Sequence, residues 1–187
     1  MKEKILDRSR REFERKGFRF TMGELARRLG VSTKTLYEYY PSKDELISDI
    51  LNQAIYELKV KEKEILGDPS LDNLEKLKKC LILIPANFQF TQLSHLEELQ
   101  RYYPKQWEIL DEFINEQWEG IISLINEGIS TGKIRPFNSI IFIDIYIGGL
   151  YRLLDHSFPK ENNTTLLETL KEMVDILLQG ILKQEEG

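Results

Sequence analysis

Apolar residues recur at three- and four-residue steps along almost the whole chain, and period-two alternation is nearly absent. This spacing places apolar side chains on one face of an α-helix, so the pattern predicts an all-α protein. The first helix is expected over residues 2–16, with Ile5, Ser9 and Phe13 on its inner face. Gly17 is then expected to take the left-handed conformation that often follows a helix.

One apolar run conflicts with a purely helical interpretation. Residues 140–147 read Ile-Ile-Phe-Ile-Asp-Ile-Tyr-Ile, and β-branched and aromatic residues favour strands. The run nevertheless continues to Leu154, which is too long for one strand, and the chain offers no second strand to pair with it. We expect a helix that is buried on more than one side. Residues 166–182 carry a second wide apolar stripe, and the surplus apolar surface of both segments predicts a homodimer formed through them.

The N-terminal region contains two short helices joined by a tight turn. Thr21 and Glu24 have the spacing of a capping box, Gly30 is expected to end the helix, and Ser32 is expected to cap the next one. A small apolar set can form a core beneath the turn: Leu25, Ala26, Leu29, Val31 and Leu36. The pattern is typical of a helix-turn-helix unit, whose second helix, here residues 32–39, presents hydrogen-bond donors to DNA.

A long helix is predicted to follow this unit. Ser42 and Glu45 repeat the capping-box spacing, so Lys43 is expected in the first turn. A lysine together with exposed backbone amides at a helix N-terminus can hold a DNA phosphate. Further along, Pro69 after Asp68 predicts the start of another helix, with Asp68 as its N-cap.

Charge is unevenly distributed along the 187 residues. Residues 1–50 contain 12 basic and 9 acidic residues, whereas the rest of the chain contains 14 and 22. This asymmetry suggests a nucleic-acid-facing end on an acidic body. No apolar stretch reaches the length of a membrane span, and the charged N-terminus is unlike a secretion signal, so we expect a cytoplasmic protein. A single cysteine and two distant histidines predict neither a metal site nor a bound cofactor.

The N-terminal motifs form one continuous pattern within the first 50 residues: Thr21, Glu24–Leu25–Ala26, Gly30–Val31–Ser32, Thr35–Leu36–Tyr37, Tyr40, and Ser42–Lys43–Asp44–Glu45–Leu46. This pattern resembles the DNA-binding domain of the TetR family of transcriptional repressors. The resemblance implies a three-helix DNA-binding domain at 1–46 and a helical ligand-binding and dimerisation domain at 47–187. Two departures from the family pattern are Lys34, where Gly is frequent, and Tyr39–Tyr40, where His-Phe is common.

The resemblance also implies a set of DNA-contacting residues. They are Thr21, Ser32, Thr33, Lys34, Thr35, Tyr37, Tyr39 and Lys43. The residues at the start of the recognition helix are expected to approach base edges, the two tyrosines and Lys43 to contact phosphates, and Thr21 to touch the DNA backbone. Tyr40 is expected to stay in the small core with its hydroxyl at the edge.

A ligand cavity in the C-terminal bundle is a further implication of the resemblance. Its candidate lining residues are Phe88, His95, Trp107, Trp118, Asp144 and Tyr146. For any single aromatic residue an ordinary core position is the better interpretation, and for His95 a surface position. Asp144 stands inside an apolar run, where an unpaired carboxylate is costly, so it is expected to face a cavity, to pair across the dimer, or to lie at a wet edge.

The function predicted from these features is a dimeric repressor that binds a pseudo-palindromic operator in double-stranded DNA and is released by a small lipophilic effector. A helical-bundle enzyme is one alternative, but the chain has no Gly-rich phosphate loop, GxSxG or HExxH motif. An architectural protein that binds DNA without sequence preference is the other.

Overall fold

The computed structural model describes residues 1–85, 93–116, 118–154 and 165–182. These residues form ten α-helices and one 3-10 turn without an extended strand, and an isolated β-bridge joins Ile134 to Leu182. The all-α prediction is confirmed. The helices are α1 (Lys2–Lys16), α2 (Met22–Leu29), α3 (Thr33–Tyr39), α4 (Lys43–Gly67), α5 (Asn73–Leu81), α6 (Leu93–Tyr102), α7 (Pro104–Asn115), α8 (Glu119–Ser130), α9 (Ser139–Leu154) and α10 (Leu166–Ile181), with the 3-10 turn at Gly17–Arg19.

Helices α1 to α3, which we call the head, pack around one apolar core. The inner face of α1 is as predicted, because Ile5, Ser9 and Phe13 are all buried. The Ser9 hydroxyl donates to the Ile5 carbonyl at 2.6 Å, which satisfies this polar group inside the core. The first turns of α4 complete the same core with Leu46, Ile47, Ile50, Leu51 and Ala54. Helix α4 therefore runs without a break across the expected boundary at residue 46.

Gly17 has a positive φ but not the expected left-handed helical conformation. Its φ is 60° and its ψ is −144°, so the chain leaves α1 in a more extended direction and enters the 3-10 turn. The cause is a tertiary contact, because the buried Phe18 donates its N–H to Glu98 of the distant helix α6 at 3.2 Å. A positive φ at this point still favours glycine.

The predicted helix start at Asp68 and Pro69 is wrong. Asp68 lies just after the end of α4, and its Oδ1 accepts bonds from the N–H of Ser70 at 2.8 Å and from its hydroxyl at 2.6 Å. The next helix begins only after Asp72, which forms a complete capping box with Glu75. A reciprocal cap satisfies two backbone donors. It therefore favours a helix start after Asp72 over one after Asp68, where proline is the main signal.

Helices α5 to α10 form what we call the body, in which α5, α8, α9 and α10 pack around a second core. The Ile-rich run is helical as predicted and forms α9, with Phe142, Ile143 and Tyr146 buried against the body. Its opposite face is exposed and apolar, as described below. No helix within the described ranges is long and apolar enough to cross a membrane.

Candidate nucleic-acid interface and effector cavity

Helix α2 begins with the predicted capping box. Glu24 donates its backbone N–H to Thr21 Oγ1 at 3.1 Å, and the Glu24 carboxylate accepts the Thr21 N–H at 2.9 Å. The hydrogen bond from the Lys16 ammonium, followed by that from Thr21, lowers the pKa of Glu24 to about 2. The carboxylate therefore stays ionised and fixes the entry to α2 while Thr21 remains exposed at the surface.

The turn between α2 and α3 requires glycine. Gly30 lies in the left-handed conformation, with φ 69° and ψ 28°, and Val31 donates its N–H back to the Ala26 carbonyl at 3.1 Å. Ala26 is buried and small, and a Cβ on Gly23 would lie 4.0 Å from the Thr33 methyl group, so α2 and the start of α3 approach closely. The predicted helix-turn-helix geometry is present.

Helix α3 has one buried anchor and an outward face of polar and aromatic side chains. Leu36 is fully buried in the head core, which fixes the rotation of the helix about its axis. Thr33, Lys34, Tyr37 and Tyr39 are consequently exposed, the two tyrosines by 47% and 43%.

The caps on α3 use two of the predicted DNA contacts. The Ser32 hydroxyl accepts the Thr35 N–H at 3.0 Å, and the two hydroxyls lie 2.9 Å apart. Both hydroxyls therefore have a structural role in addition to any contact with DNA.

Tyr40 joins the recognition helix to its neighbours. Its ring is buried in the head core and its hydroxyl donates to Asp49 Oδ2 at 2.7 Å, as the sequence predicts. Burial and this bond to a carboxylate raise the pKa of Tyr40, so the phenol keeps its proton. Lys2 pairs with the same carboxylate at 3.0 Å, which links α1, the end of α3 and α4.

Most cations of the head are already paired within the protein. The buried Glu12 carboxylate alone lies within 3.7 Å of Arg8, 3.1 Å of Arg28 and 2.9 Å of Arg15. The basic face of α1 is thus largely neutralised. Among the described side chains of residues 1–50, Lys4, Arg27 and Lys34 are the cations without a recorded ion pair, hydrogen bond or ring contact. The sequence does not single out Arg27, although Arg8, Arg11 and Arg15 each stand three or four positions from their carboxylate partners, whereas Arg10, Arg19 and Arg28 pair with distant ones.

Lys43 occupies the first turn of α4, as predicted, but its side chain turns towards the protein. Its ammonium donates to the Phe18 carbonyl and lies 4.7 Å from the centre of the Phe20 ring and 5.4 Å from that of Tyr103. An ammonium has three N–H donors, so a bond to Phe18 leaves two for a phosphate. Lys43 therefore makes a head-to-body contact and keeps two donors for the predicted contact to DNA.

We expect Lys43→Ala to lower both stability and DNA affinity. Loss of the bond to Phe18 and of the ring contacts should cost about 1 kcal/mol of unfolding free energy. Loss of one phosphate contact should weaken binding to all sequences and reduce the slope of log K against log salt by about 1. Urea unfolding and a salt titration of DNA binding measure these two effects. Lys63→Ala, at an exposed position on the distal part of α4, is the matched control. An unchanged salt slope for Lys43→Ala would show that Lys43 makes only its contacts within the protein and none to a DNA phosphate.

The body contains an apolar cavity of about 190 Å³. Of the predicted ligand residues, Trp118 and Tyr146 line it, and their rings meet edge to face at 5.3 Å. Further wall residues are supplied by α4, α5, α7, α9 and α10: Leu51, Ala54, Leu58, Glu62, Cys80, Phe113, Leu150 and Leu170. Phe88 and the side chain of His95 lie outside the described part of the chain.

Two of the predicted ligand residues do not line the cavity. Trp107 packs instead beside the head core and Tyr151, with ring centres 6.4 Å apart, because its position on α7 faces the junction between head and body. Asp144 is exposed on the outer face of α9, which removes the desolvation cost that made it a cavity candidate. Helical spacing gives the side of a helix, but not which neighbour that side meets.

Comparisons with known proteins agree with this geometry. The family model for bacterial regulatory proteins of the tetR family matches residues 5–50. The chain is 39% identical to the HTH-type transcriptional regulator YvaF of Bacillus subtilis over 187 residues, 100% of this chain and 98% of that protein. A transcriptional regulator from Cytophaga hutchinsonii shares the fold with a TM-score of 0.72 at 20% identity, over 97% of this chain and 98% of its own. A regulator of the TetR/AcrR family from Thermobifida fusca does so with a TM-score of 0.67 at 20% identity, over 96% and 97%. The chain belongs to the TetR family of DNA-binding transcriptional regulators, which is not a family of enzymes.

Proposed function

We propose that this regulator is a cytoplasmic repressor that binds a pseudo-palindromic operator as a homodimer and releases it when a small lipophilic effector occupies the body cavity. The observation that carries this proposal is the outward face of α3. Lys34 and Tyr37 project from a helix whose rotation is fixed by the buried Leu36, and Lys34 has no recorded partner among the described side chains. Donor-rich side chains on such a helix suit the base edges and phosphates of a major groove.

The exposed face of α9 supports a dimer. Ile140, Ile141 and Ile145 are 62%, 55% and 55% exposed, and Ile176 of the neighbouring α10 is 65% exposed. Ile140, Ile141 and Ile145 form an apolar patch on α9 of the kind that marks an interaction surface, and Ile176 adds exposed apolar surface on the helix packed beside it. Asp144 lies within this patch, where it either pairs with a basic group of the second subunit or remains solvent-exposed at the rim of the interface.

Helix α4 provides a physical connection between the cavity and the head. Leu51 and Ala54 belong to the head core and also line the cavity. A ligand there contacts the same helix whose first turns hold α1 to α3. It lowers DNA affinity only if it binds the head arrangement that mismatches the operator more tightly than the one that matches it.

Selection of bound fragments from random double-stranded DNA, at a fixed salt concentration and followed by footprinting, tests this proposal. We expect a two-fold symmetric site with half-site centres about 34 to 36 Å apart, or a multiple of that distance. Binding should resist excess non-specific DNA. Weak, salt-sensitive binding without a consensus would instead favour the architectural alternative.

Lys34→Ala should change which operator bases are preferred. If Lys34 contacts a base edge, its removal should relax preference at that base pair and weaken binding to the best site by about tenfold. The selection repeated with this variant measures the change. Arg27→Ala is the matched control, since it removes a similarly unpaired cation from α2 and should weaken all sequences alike. Identical consensus sequences for Lys34→Ala and the wild type would show that Lys34 does not contact a base edge.

A further inference from the structure

The charged side chains among the described lining residues of the cavity are all acidic. Among its described lining residues the only charged side chains are Glu62 on α4 and Glu116 after α7, while the remainder are mostly aliphatic and aromatic. A neutral apolar effector needs no carboxylate in its site, and an anionic effector would be repelled by two of them. The acidic side chains of the cavity wall therefore favour a cationic ligand.

Glu62 is the more deeply placed of the two carboxylates. It is half-buried, and no hydrogen bond or ion pair joins it to another side chain in the described regions. Burial first, and then the neighbouring Glu119, raise the pKa of Glu62 against the weaker opposite effect of Lys59. The Lys59 ammonium lies 6.0 Å from the centre of the Phe113 ring. Because Lys59 acts on Glu62 less strongly than burial and Glu119 do, the Glu62 charge is incompletely compensated.

The aromatic residues of the wall suit the same kind of ligand. Phe113 and Trp118 both line the cavity, and the indole N–H of Trp118 is already satisfied by the Ile114 carbonyl at 2.9 Å. Trp118 therefore offers its ring rather than a donor. Aromatic faces attract cations, most strongly where water is excluded.

We propose that the effector of this cavity is a small lipophilic cation whose positive centre lies beside Glu62 and whose apolar part packs against Phe113 and Trp118. The inference rests on the proposed role of the cavity as an effector site. A volume of about 190 Å³ accommodates a ligand of about the size of one substituted aromatic ring, since a cavity of about 150 Å³ holds benzene.

Two ligands of equal shape test the charge requirement. Phenyltrimethylammonium and tert-butylbenzene differ in one central atom, a quaternary nitrogen or a carbon, and hence in charge alone. We expect the purified protein at neutral pH to bind the cation more tightly, measured by calorimetry and by tryptophan fluorescence. Apolar burial by itself favours the neutral compound, so a preference for the cation requires an electrostatic contribution from the site.

Glu62→Gln supplies the decisive comparison. The variant should bind phenyltrimethylammonium about tenfold more weakly and tert-butylbenzene unchanged, so the preference for the cation should fall by the same factor. Glu108→Gln, at an exposed position on α7 outside the cavity wall, is the matched control and should change neither affinity. A wild-type preference for tert-butylbenzene, or an equal effect of Glu62→Gln on both ligands, would overturn the assignment of a cation.

The stability of the ligand-free protein gives a second readout. A carboxyl whose pKa is raised by folding destabilises the native state as pH rises above its unfolded value, here 4.5. The groups that act on Glu62 are Lys59, Glu119 and the Cys80 thiol, and Gln at position 62 leaves all three in place. Glu62→Gln should therefore melt at a higher temperature than the wild type at pH 7, and at the same temperature at pH 4. Equal melting temperatures at both pH values would show that the Glu62 charge is already compensated.

Failure of this inference is distinguishable from failure of the proposed function. Operator binding by the same ligand-free preparations tests the DNA-binding role without any effector. If tert-butylbenzene alone binds and weakens operator binding, the cavity is an effector site for neutral ligands and only the cation is excluded. If neither compound binds, the cation inference is wrong and the cavity loses its support as an effector site, whereas a symmetric footprint would still establish the regulator.

Discussion

Ile141→Glu is expected to convert the proposed dimer into a folded monomer and to lower operator affinity by about 100-fold or more. Ile141 lies on the exposed apolar face of α9, between Ile140 and Ile145 in the chain and one helical turn from Asp144. In a two-fold interface each substitution occurs twice, so one mutation places two new carboxylates, in addition to two existing ones, in an apolar contact. Burying an uncompensated charge costs several kcal/mol, which is more than a modest dimer interface can offset.

The loss of affinity for DNA follows from the geometry of two linked heads. In a dimer, binding of the first half-site raises the effective concentration of the second head at its own half-site, which contributes a factor of about 10² to 10⁴. A monomer loses that factor while its recognition helix stays intact. Sedimentation or light scattering measures the subunit number, and titration of a full operator and of a single half-site measures the affinity.

Val60→Glu is the matched control for this experiment. Val60 is a β-branched residue that is 40% exposed on α4, outside the α9 and α10 patch, so its replacement introduces the same charge without touching the expected interface. It should leave the dimer intact. A dimeric Ile141→Glu protein with normal operator affinity would place the subunit contact elsewhere.

Short-range signals account for the features that the sequence predicts well. The capping box of Thr21 and Glu24, the left-handed Gly30 and the buried positions of α1 each depend on residues within one or two helical turns. The second predicted box is only half formed, since Ser42 accepts the Glu45 N–H at 3.1 Å without a reciprocal bond from the Glu45 carboxylate. The apolar run of α9 was assigned correctly because its length excluded a single strand. The buried positions of Leu36 and Tyr40 are also predicted correctly, because the tight turn leaves little freedom in how α3 packs on α2.

Features set by distant residues could not be predicted in the same way. The bond of Phe18 to Glu98 spans 80 positions, and it gives Gly17 an unexpected ψ angle. The inward turn of Lys43 depends on Phe18 and on Tyr103 from the body. Trp107 was a cavity candidate by composition alone, because apolar spacing does not distinguish a cavity wall from a core.

Replacing Glu98 by alanine is expected to destabilise the protein by about 2 to 3 kcal/mol. The Glu98 carboxylate, 9% exposed as a residue, accepts the Phe18 N–H at 3.2 Å and the Arg19 Nε at 2.6 Å. The Arg19 side chain is 80% exposed, so its ion pair contributes little. Most of the cost comes from the buried Phe18 N–H, which would lose a charged acceptor. Urea unfolding measures the effect, Glu98→Gln should recover part of it by restoring a neutral acceptor, and the exposed Gln100→Ala on the same helix should have almost none.

We also expect Glu98 to hold the head in one direction relative to the proposed dimer. Helix α6, which carries it, packs against the 3-10 turn of the head on one side and against α9 on the other. Two heads held rigidly on a dimer should discriminate between half-sites at the correct spacing and half-sites moved apart by one base pair, because the shift both lengthens and rotates the site. Without the bond to Phe18 each head can adjust, so Glu98→Ala should bind the correct operator more weakly but the altered operator at least as well as the wild type. Titration of both operators gives the ratio of the affinity for the correct operator to that for the altered one. If this ratio is the same for Glu98→Ala and the wild type, Glu98 only stabilises the fold.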